Sequence, residues 1–149
     1  MKPVKFHFEQ PKESPGYLMW QVSMLWQRSM NRALKAFELT HTQFVILAAL
    51  TWLSQQQEQV TQVEIANHSK IDRMMTSKIL RNLQGRGLID RKEHATDTRA
   101  KCVFLTRRGT QRIGKALAVV EATDQDFFRN VAGNLPNFLD QMKSLLPEE

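Results

Sequence analysis

The feature that most constrains this chain is the stretch from Ser69 to Gly109, in which a helical apolar stripe is followed by two short strands. The stripe consists of Thr76, Ile79, Leu80 and Leu83, at positions i, i+3, i+4 and i+7. That spacing predicts a helix with one face packed on a core. The opposite face carries Arg73, Met74, Ser77, Lys78 and Arg81. Such a face suits an anionic partner, although an ordinary solvated helix face is the alternative.

Two strands separated by a polar turn are predicted after this helix. Gly85 and Gly87 are expected to end the helix, because glycine readily adopts the left-handed conformation of a helix C-cap. The strands are predicted over residues 88–92 and 100–105, with the turn over residues 94–98. The sequence therefore predicts a mainly α fold with a small β-hairpin wing, which is a winged helix-turn-helix.

The same stretch resembles a known family in three motifs that occur in the right order. Asp97, Arg99, Leu105, Thr106 and Gly109 resemble the D-x-R-x5-L-T-x2-G signature of the MarR (multiple antibiotic resistance regulator) transcription factors, with its spacing kept. Residues 39–44 are similar to the L-T-x-x-Q-F start of that family's second helix, and residues 83–91 to the end of its recognition helix. The resemblance implies a DNA-binding homodimer whose N- and C-terminal helices form the dimerisation region.

Capping signals divide the rest of the chain into helices. Capping boxes at residues 40–43 and 61–64 predict two helix starts, because side chain and backbone satisfy each other's free donors there. Asp72 is the predicted N-cap of the helix that carries Arg73, Met74, Ser77, Lys78 and Arg81. We call this helix the reading helix and these five residues its reading face. Thr106 is the predicted N-cap of a long helix that continues towards a break at residues 133–136, after which a short amphipathic helix follows.

The length of 149 residues indicates a single domain, residues 1–149, with terminal helices attached. Residues 1–16 are predicted to be an N-terminal arm, residues 17–38 and 107–149 the dimerisation helices, and residues 40–106 the DNA-binding region. The apolar band of residues 17–38 is wide enough for burial on two sides. A dimer would provide this burial, and a helix central to its own domain is the alternative.

The basic charge is concentrated in the predicted DNA-binding region. Residues 61–112 hold 12 Lys and Arg against 5 Asp and Glu, whereas the whole chain has a net charge of +6. Such a concentration is typical of a surface that binds phosphate. The apolar runs are too short to span a bilayer, and one cysteine cannot form an internal disulfide. We therefore expect a cytoplasmic protein that binds double-stranded DNA and no membrane.

The residue types on the reading face suggest how DNA would be contacted. Arg73 can fork onto guanine, Met74 can contact a thymine methyl group, and Ser77 can bond either a base or a phosphate. Lys78 and Arg81 are expected to hold phosphates, which fixes the register of the helix without reading sequence.

The predicted roles of the wing residues depend on the resemblance. It implies that Arg99 enters or lies beside the minor groove, and that Asp97 supports the wing by pairing with Arg91 or Arg99. Lys101 is a further predicted DNA contact. From the residues alone, Asp97 and Arg99 fit a surface pair in a turn equally well.

Other functional classes have little support in the sequence. The histidines and the single cysteine lack the spacing of a metal site, and no phosphate loop or nucleophile elbow occurs. No enzyme activity, cofactor or metal is therefore expected. Cys102 is interpreted as a small hydrophobic residue in a wing strand. The resemblance implies an aromatic or phenolic effector, with Trp26, Met30 and Trp52 as either pocket residues or plain core and dimer interface.

Together these patterns predict a homodimeric, sequence-specific transcriptional regulator, most simply a repressor on a pseudo-palindromic operator. Two alternatives stay open from the sequence. One is a winged-helix protein-interaction module without sequence-specific DNA binding, and the other is a nonspecific architectural DNA binder. Sequence preference at physiological salt distinguishes the three.

Overall fold

The computed structural model describes residues 1–148, and its elements follow the predicted order. The helices are α1 (Pro15–Leu34), α2 (His41–Ser54), α3 (Gln62–Ser69), α4 (Arg73–Gly85), α5 (Arg107–Phe127) and α6 (Leu135–Lys143). The strands are β1 (Val60–Thr61), β2 (Ile89–Glu93) and β3 (Lys101–Leu105). Short 3-10 turns occupy Pro11–Glu13, Lys35–Phe37 and Arg129–Asn134. Glu149, the last residue of the predicted dimerisation region, lies outside the described residues.

The predicted helix starts are confirmed by the side chains that cap them. Thr40 and Thr61 each form a complete capping box with the residue three positions on. Asp72 Oδ1 accepts the N–H three residues further along at 2.8 Å, and Thr106 Oγ1 does the same at 3.0 Å. Each cap satisfies a backbone donor that would otherwise lack a partner, which stabilises a helix by about 1 kcal/mol.

The hydrophobic core lies beneath α4, between α2 and the first half of α5. The predicted stripe of α4 is buried along its full length, with Leu80 and Leu83 fully inaccessible to solvent. Thr76, the polar member of the stripe, donates its hydroxyl proton to Ile71 O at 3.4 Å. The core also receives Phe44, Ile46, Leu47, Ala49 and Leu50 from α2, and Ile113 and Ala116 from α5. This burial fixes the direction in which the opposite face of α4 points.

The bounds of α1 and α5 differ from the prediction. α1 begins at Pro15 rather than at Tyr17, because the preceding serine accepts the N–H of Tyr17 and proline fits the first helical position. α5 ends at Phe127, before the predicted break at residues 133–136. Pro136 does not break a helix but lies in the first turn of α6, where its missing N–H is not needed.

The sheet has three strands, one more than the sequence predicts. β2 and β3 form the expected antiparallel hairpin, within one residue of the predicted bounds, with Ile89 opposite Leu105. β1 pairs with the other edge of β3, with Val60 opposite Val103. A strand of two residues is too short for an alternating pattern to reveal it. It attaches the base of the wing to the start of α3.

No single helix among residues 1–148 has both the length and the hydropathy needed to cross a membrane. The segments Pro15–Phe37 and His41–Ser54 satisfy those criteria only when taken together, and a bend of 77° separates them.

Candidate nucleic-acid interface

The reading face of α4 is exposed, as the sequence predicts. Arg73, Met74, Lys78 and Arg81 are exposed, and Ser77 is half-buried. Met74 is the most exposed apolar side chain of the helix, at 85%. Among the described residues, the three basic side chains of this face form no ion pair with the protein. They are therefore available to phosphates and base edges.

The turn between α3 and α4 fixes the angle at which the reading helix leaves the body. Lys70 adopts the left-handed conformation, with φ at 57°, and so reverses the chain after α3. The N–H of Ile71 then donates to Ala66 O at 3.3 Å, which ties the turn to the last part of α3. Arg73 and Met74 follow directly as the first residues of α4. They lie at the N-terminal end of the second helix of the helix-turn-helix, the end through which recognition helices of this motif contact base edges.

The wing tip is folded by two side chains that accept backbone N–H groups. Asp97 Oδ1 accepts from Arg99 N at 3.1 Å, and His94 Nδ1 accepts from the N–H groups of Thr96 and Asp97 at 3.2 Å each. A further hydrogen bond, from His94 N to Ala100 O at 3.1 Å, joins the two sides of the hairpin next to the turn. The predicted pairing of Asp97 with an arginine side chain is wrong, because the carboxylate binds the backbone of the turn. Arg99 remains exposed at the tip.

The sequence places His94 in the polar turn but does not predict its role as an acceptor there. Its Nδ1 accepts the two backbone hydrogen bonds of this turn. The side chain thus acts as Asn or Asp does in a turn, by satisfying N–H groups two and three residues ahead. Its position at the start of the polar turn was the available signal.

Arg91 supports the wing through glutamines rather than through Asp97. Its Nε donates to Gln84 Oε1 at 2.7 Å, and its Nη1 donates to Gln62 Oε1 at 2.9 Å. These bonds join β2 to the C-terminal end of α4 and to the first turn of α3. Lys101 opens β3 with an exposed side chain. Arg91 therefore fixes the hairpin relative to the reading helix, while Arg99 and Lys101 remain exposed.

Contacts at the base of the wing explain why the Leu-Thr-x-x-Gly motif contains a threonine and a glycine. Thr106 Oγ1 donates to Gly87 O at 2.6 Å, and Thr106 N donates to Leu88 O at 3.1 Å. A Cβ at Gly109 would overlap the carbonyl group of Leu88, so only glycine fits this contact. Of the two glycines predicted to end α4, Gly87 has the left-handed φ of 70°, whereas Gly85 is the last helical residue.

A polar junction joins the reading helix to the segment between α1 and α2. Arg86, just beyond α4, donates through Nη2 to Glu38 O at 2.6 Å and through Nη1 to Gln43 Oε1 at 3.3 Å. Gln43 in turn donates to Asn82 Oδ1 at 3.2 Å. Arg112 of α5 lies 3.6 Å from the Glu38 carboxylate. The C-terminal end of α4 is thus connected to the helices that were predicted to dimerise.

Trp26 joins α1 to α5 and α2. Its indole N–H donates to Asp124 Oδ1 at 2.9 Å, and its ring meets the edge of His41 with centroids 4.8 Å apart. Partial burial lowers the pKa of His41 below its usual value. Met30, another suggested pocket residue, is fully buried in the protein. Trp26 and Met30 are therefore packing residues within the chain.

A cavity of about 650 Å³ lies between α2, α5 and the C-terminal end of α3. Its apolar lining is Phe44, Val45, Ala48, Ala49, Trp52, Ile113 and Leu117, and its polar lining is Thr51, Gln55, His68, Ser69 and Glu121. Trp52 is thus the member of the suggested pocket trio that lines this cavity. Leu117, which borders this cavity, is 40% exposed.

Cys102 is buried in β3, as its interpretation as a small hydrophobic residue requires. Its Sγ lies 3.5 Å from Gln59 Oε1, to which it donates. Burial, and secondly the negative charge of Glu64, raise the pKa of the Cys102 thiol. Within residues 1–148, no group of three His, Cys, Asp or Glu side chains is arranged to hold a metal ion.

The sequence is similar to a family model and to a bacterial regulator. Residues 35–123 match the family model described as ArnR1-like, winged-helix domain. The chain is 39% identical over 142 residues to YdcH of Bacillus subtilis strain 168, an uncharacterised HTH-type transcriptional regulator. That match covers 95% of this chain and 96% of YdcH.

Two solved structures have a similar fold. A cysteine-to-serine mutant of E. coli MarR in complex with operator DNA is 23% identical, with a TM-score of 0.80, and the match covers 89% of this chain and 93% of that one. CouR from Rhodococcus jostii RHA1, bound to p-coumaroyl-CoA, is 22% identical, with a TM-score of 0.77, covering 95% of this chain and all of that one.

The exposed basic helix, the hairpin wing beside it and these relatives define a class, the winged helix-turn-helix DNA-binding transcriptional regulators. Members of this class regulate transcription rather than catalyse reactions. Within the class, the chain belongs to the family described by the ArnR1-like winged-helix model, which spans residues 35–123. Its fold is similar to that of the MarR regulators, whose motifs residues 39–44 and 97–109 resemble.

Proposed function

We propose that the chain is a homodimeric repressor that reads a pseudo-palindromic operator and releases it when a small molecule binds. The observation that carries the proposal is the basic face of α4, which is exposed and forms no ion pair with residues 1–148, beside a wing tip that presents Arg99. The proposed DNA contacts are Arg73, Met74, Ser77, Lys78, Arg81, Arg99 and Lys101. Asp97 and Arg91 hold the wing in position. One reading helix enters the major groove, while the wing reaches the neighbouring minor groove.

Unpartnered apolar faces on the terminal helices support the homodimer. On α1 the exposed apolar side chains are Leu18, Met19, Trp20, Val22 and Leu25. On α6 and just beyond it they are Leu135, Leu139, Met142, Leu145 and Leu146. Side chains of this size favour burial by about 1.5–3 kcal/mol each when fully covered. We propose that a second copy covers both faces through a two-fold interface, with residues 17–38 and 107–149 as the dimerisation regions.

The two-fold axis predicts the form of the operator. Two reading helices related by a dyad meet successive major grooves when they lie about 34 Å apart, one turn of the duplex. The polar junction of Arg86, Glu38 and Gln43 joins each reading helix to the dimerisation helices. A change in the packing of those helices would therefore alter the separation of the reading helices, and with it the affinity for DNA.

The cavity between α2, α5 and α3 is the proposed effector site. Its volume lies in the range of small-molecule sites, and its lining is mostly apolar. His68 and Ser69, which line it, directly precede the turn that aims α4. A ligand that binds one arrangement of this turn better than another shifts the population towards it. CouR, which shares the fold, is a relative with a small molecule bound.

The direct test is selection of bound duplexes from a random pool by the purified protein and by three variants. The wild type is expected to recover an inverted repeat. Arg73→Ala is expected to lose preference at one base pair of each half-site, since a forked Arg–guanine contact discriminates by about 1–3 kcal/mol. Arg99→Ala is expected to bind the operator more weakly, because the wing would lose its contact with the minor groove that flanks each half-site. Arg129→Ala, an exposed arginine at the far end of α5, serves as the control and is expected to match the wild type.

Two outcomes of this selection would overturn the proposal. Recovery of no sequence motif, with all variants binding alike, indicates a protein-interaction module. Strong, salt-dependent binding without sequence preference indicates an architectural DNA binder.

A further inference from the structure

We propose that the cavity between α2, α5 and α3 is selective for an aromatic or apolar ligand that carries a positive charge or several hydrogen-bond donors, and that it disfavours anions. The inference rests on the proposed function, because it assigns the ligand class of the effector site proposed above. It follows from the charge of the lining, from the state of its hydroxyl groups, and from its aromatic rings.

The formal charge of the lining is negative. Glu121 is the acidic residue that lines the cavity, and none of the lining residues is Lys or Arg. A ligand carboxylate or phenolate placed there would leave its hydration shell and find no cationic partner. It would also lie near a charge of its own sign, which disfavours the ionised form. A ligand cation finds in Glu121 a charge-assisted acceptor.

The two lining hydroxyl groups add acceptors rather than donors. Thr51 Oγ1 donates its single proton to Leu47 O at 2.7 Å, and Ser69 Oγ donates to Ile65 O at 2.7 Å. A hydroxyl group has one proton and two lone pairs, so each oxygen retains only accepting capacity. These two groups and Glu121 therefore favour a ligand that donates. Gln55 and His68, which have both donors and acceptors, are compatible with either type of ligand.

The aromatic rings favour the same class of ligand. Phe44 and Trp52 both line the cavity, and Trp52 is 57% exposed, so that part of its ring is accessible. The face of an indole ring attracts a cation through its quadrupole and also offers a flat apolar surface. An ammonium group attached to a ring system can therefore use Trp52 and Glu121 together.

Three naphthalene derivatives of matched size test the inference. They are 2-naphthylmethylammonium, 2-naphthylmethanol and 2-naphthoate, which are cationic, neutral and anionic at pH 7. Isothermal titration calorimetry of each with the purified protein is expected to rank the affinities in that order. The cation should bind about fivefold more tightly than the anion, because Glu121 is exposed and an exposed charge interaction contributes at most about 1 kcal/mol.

Variants then assign the preference to the cavity. Glu121→Gln is expected to weaken the cation about fivefold and to leave the alcohol unchanged. Asp126→Asn removes a carboxylate from the same helix outside the cavity, and it should leave all three affinities unchanged. Trp52→Ala should weaken all three probes, which places them in the cavity rather than elsewhere on the protein.

The outcomes separate the charge preference from the site itself. If the alcohol binds and is weakened by Trp52→Ala, but the anion binds as tightly as the cation, the inference is wrong while the proposed effector site stands. An unchanged cation affinity in Glu121→Gln also refutes it. If none of the three probes binds, the effector site of the proposed function fails, and the ligand class fails with it.

Discussion

Replacement of Gly109 by alanine tests whether the close contact at the base of the wing holds the fold together. The added Cβ would overlap the carbonyl group of Leu88, which is backbone and cannot rotate away. The N-terminal end of α5 must then move, which strains the hydrogen bonds from Thr106 to Gly87 and Leu88.

The expected magnitude follows from three contributions. Forced overpacking costs about 1–3 kcal/mol, and weakening two hydrogen bonds costs about 1 kcal/mol each. Alanine within a helix recovers about 1 kcal/mol relative to glycine. The free energy of unfolding of Gly109→Ala should therefore fall by about 2–4 kcal/mol. With a urea dependence near 2 kcal/mol per molar, the unfolding midpoint falls by about 1–2 M.

The matched control is Gly114→Ala, on the same helix. Apart from the backbone of its own helix and its chain neighbours, nothing in residues 1–148 lies within 4 Å of a Cβ placed at Gly114, so this variant should gain up to about 1 kcal/mol from helix propensity alone. Both variants are compared with the wild type by circular dichroism in urea, at one fixed protein concentration, because dimerisation shifts apparent stability. A Gly109→Ala protein as stable as Gly114→Ala would refute the reasoning.

Two further predictions concern the wing. His94→Leu removes the acceptor of two backbone N–H groups and should weaken binding to the selected operator about tenfold, because each hydrogen bond contributes about 0.5–1.5 kcal/mol. His94→Asn, whose Oδ1 replaces Nδ1, should restore most of the affinity. Equal weakening in the two variants would contradict the role of the acceptor. The raised pKa and burial of Cys102 predict slow alkylation by iodoacetamide at pH 8 in the native protein and rapid alkylation in urea. An equal rate of alkylation in the native and the urea-unfolded protein would contradict this prediction. Because the folded state favours the protonated thiol, its contribution to the free energy of unfolding is complete below the pKa of the thiol in the unfolded chain and is lost as the pH rises through the pKa in the folded protein.

The parts of the fold that were predicted correctly depend on neighbouring residues in the chain. The stripe of α4 and the caps at Thr40, Thr61, Asp72 and Thr106 involve residues within one or two helical turns, so their spacing in the sequence contains the structural information. The reading face could be predicted for the same reason, since burial of one face of a helix determines which residues remain on the other.

The parts that were missed depend on contacts between distant segments. Arg91 reaches Gln62 across 29 positions, and nothing in the local pattern distinguishes that partner from Asp97. β1 forms because Val60 and Thr61 pair with β3, about 40 positions further along the chain. The cavity is lined by residues of α2, α3 and α5, which are distant in the sequence, so the spacing within one helix cannot reveal it.

Sequence-specific binding of DNA by α4 and the wing can be measured as the ratio of two dissociation constants. The purified protein is titrated at physiological salt against the duplex recovered by selection and against a shuffled duplex of the same composition. The selected duplex is expected to bind at least about a thousandfold more tightly, as specific regulators do. Equal affinity for the two duplexes would show that α4 and the wing do not read sequence.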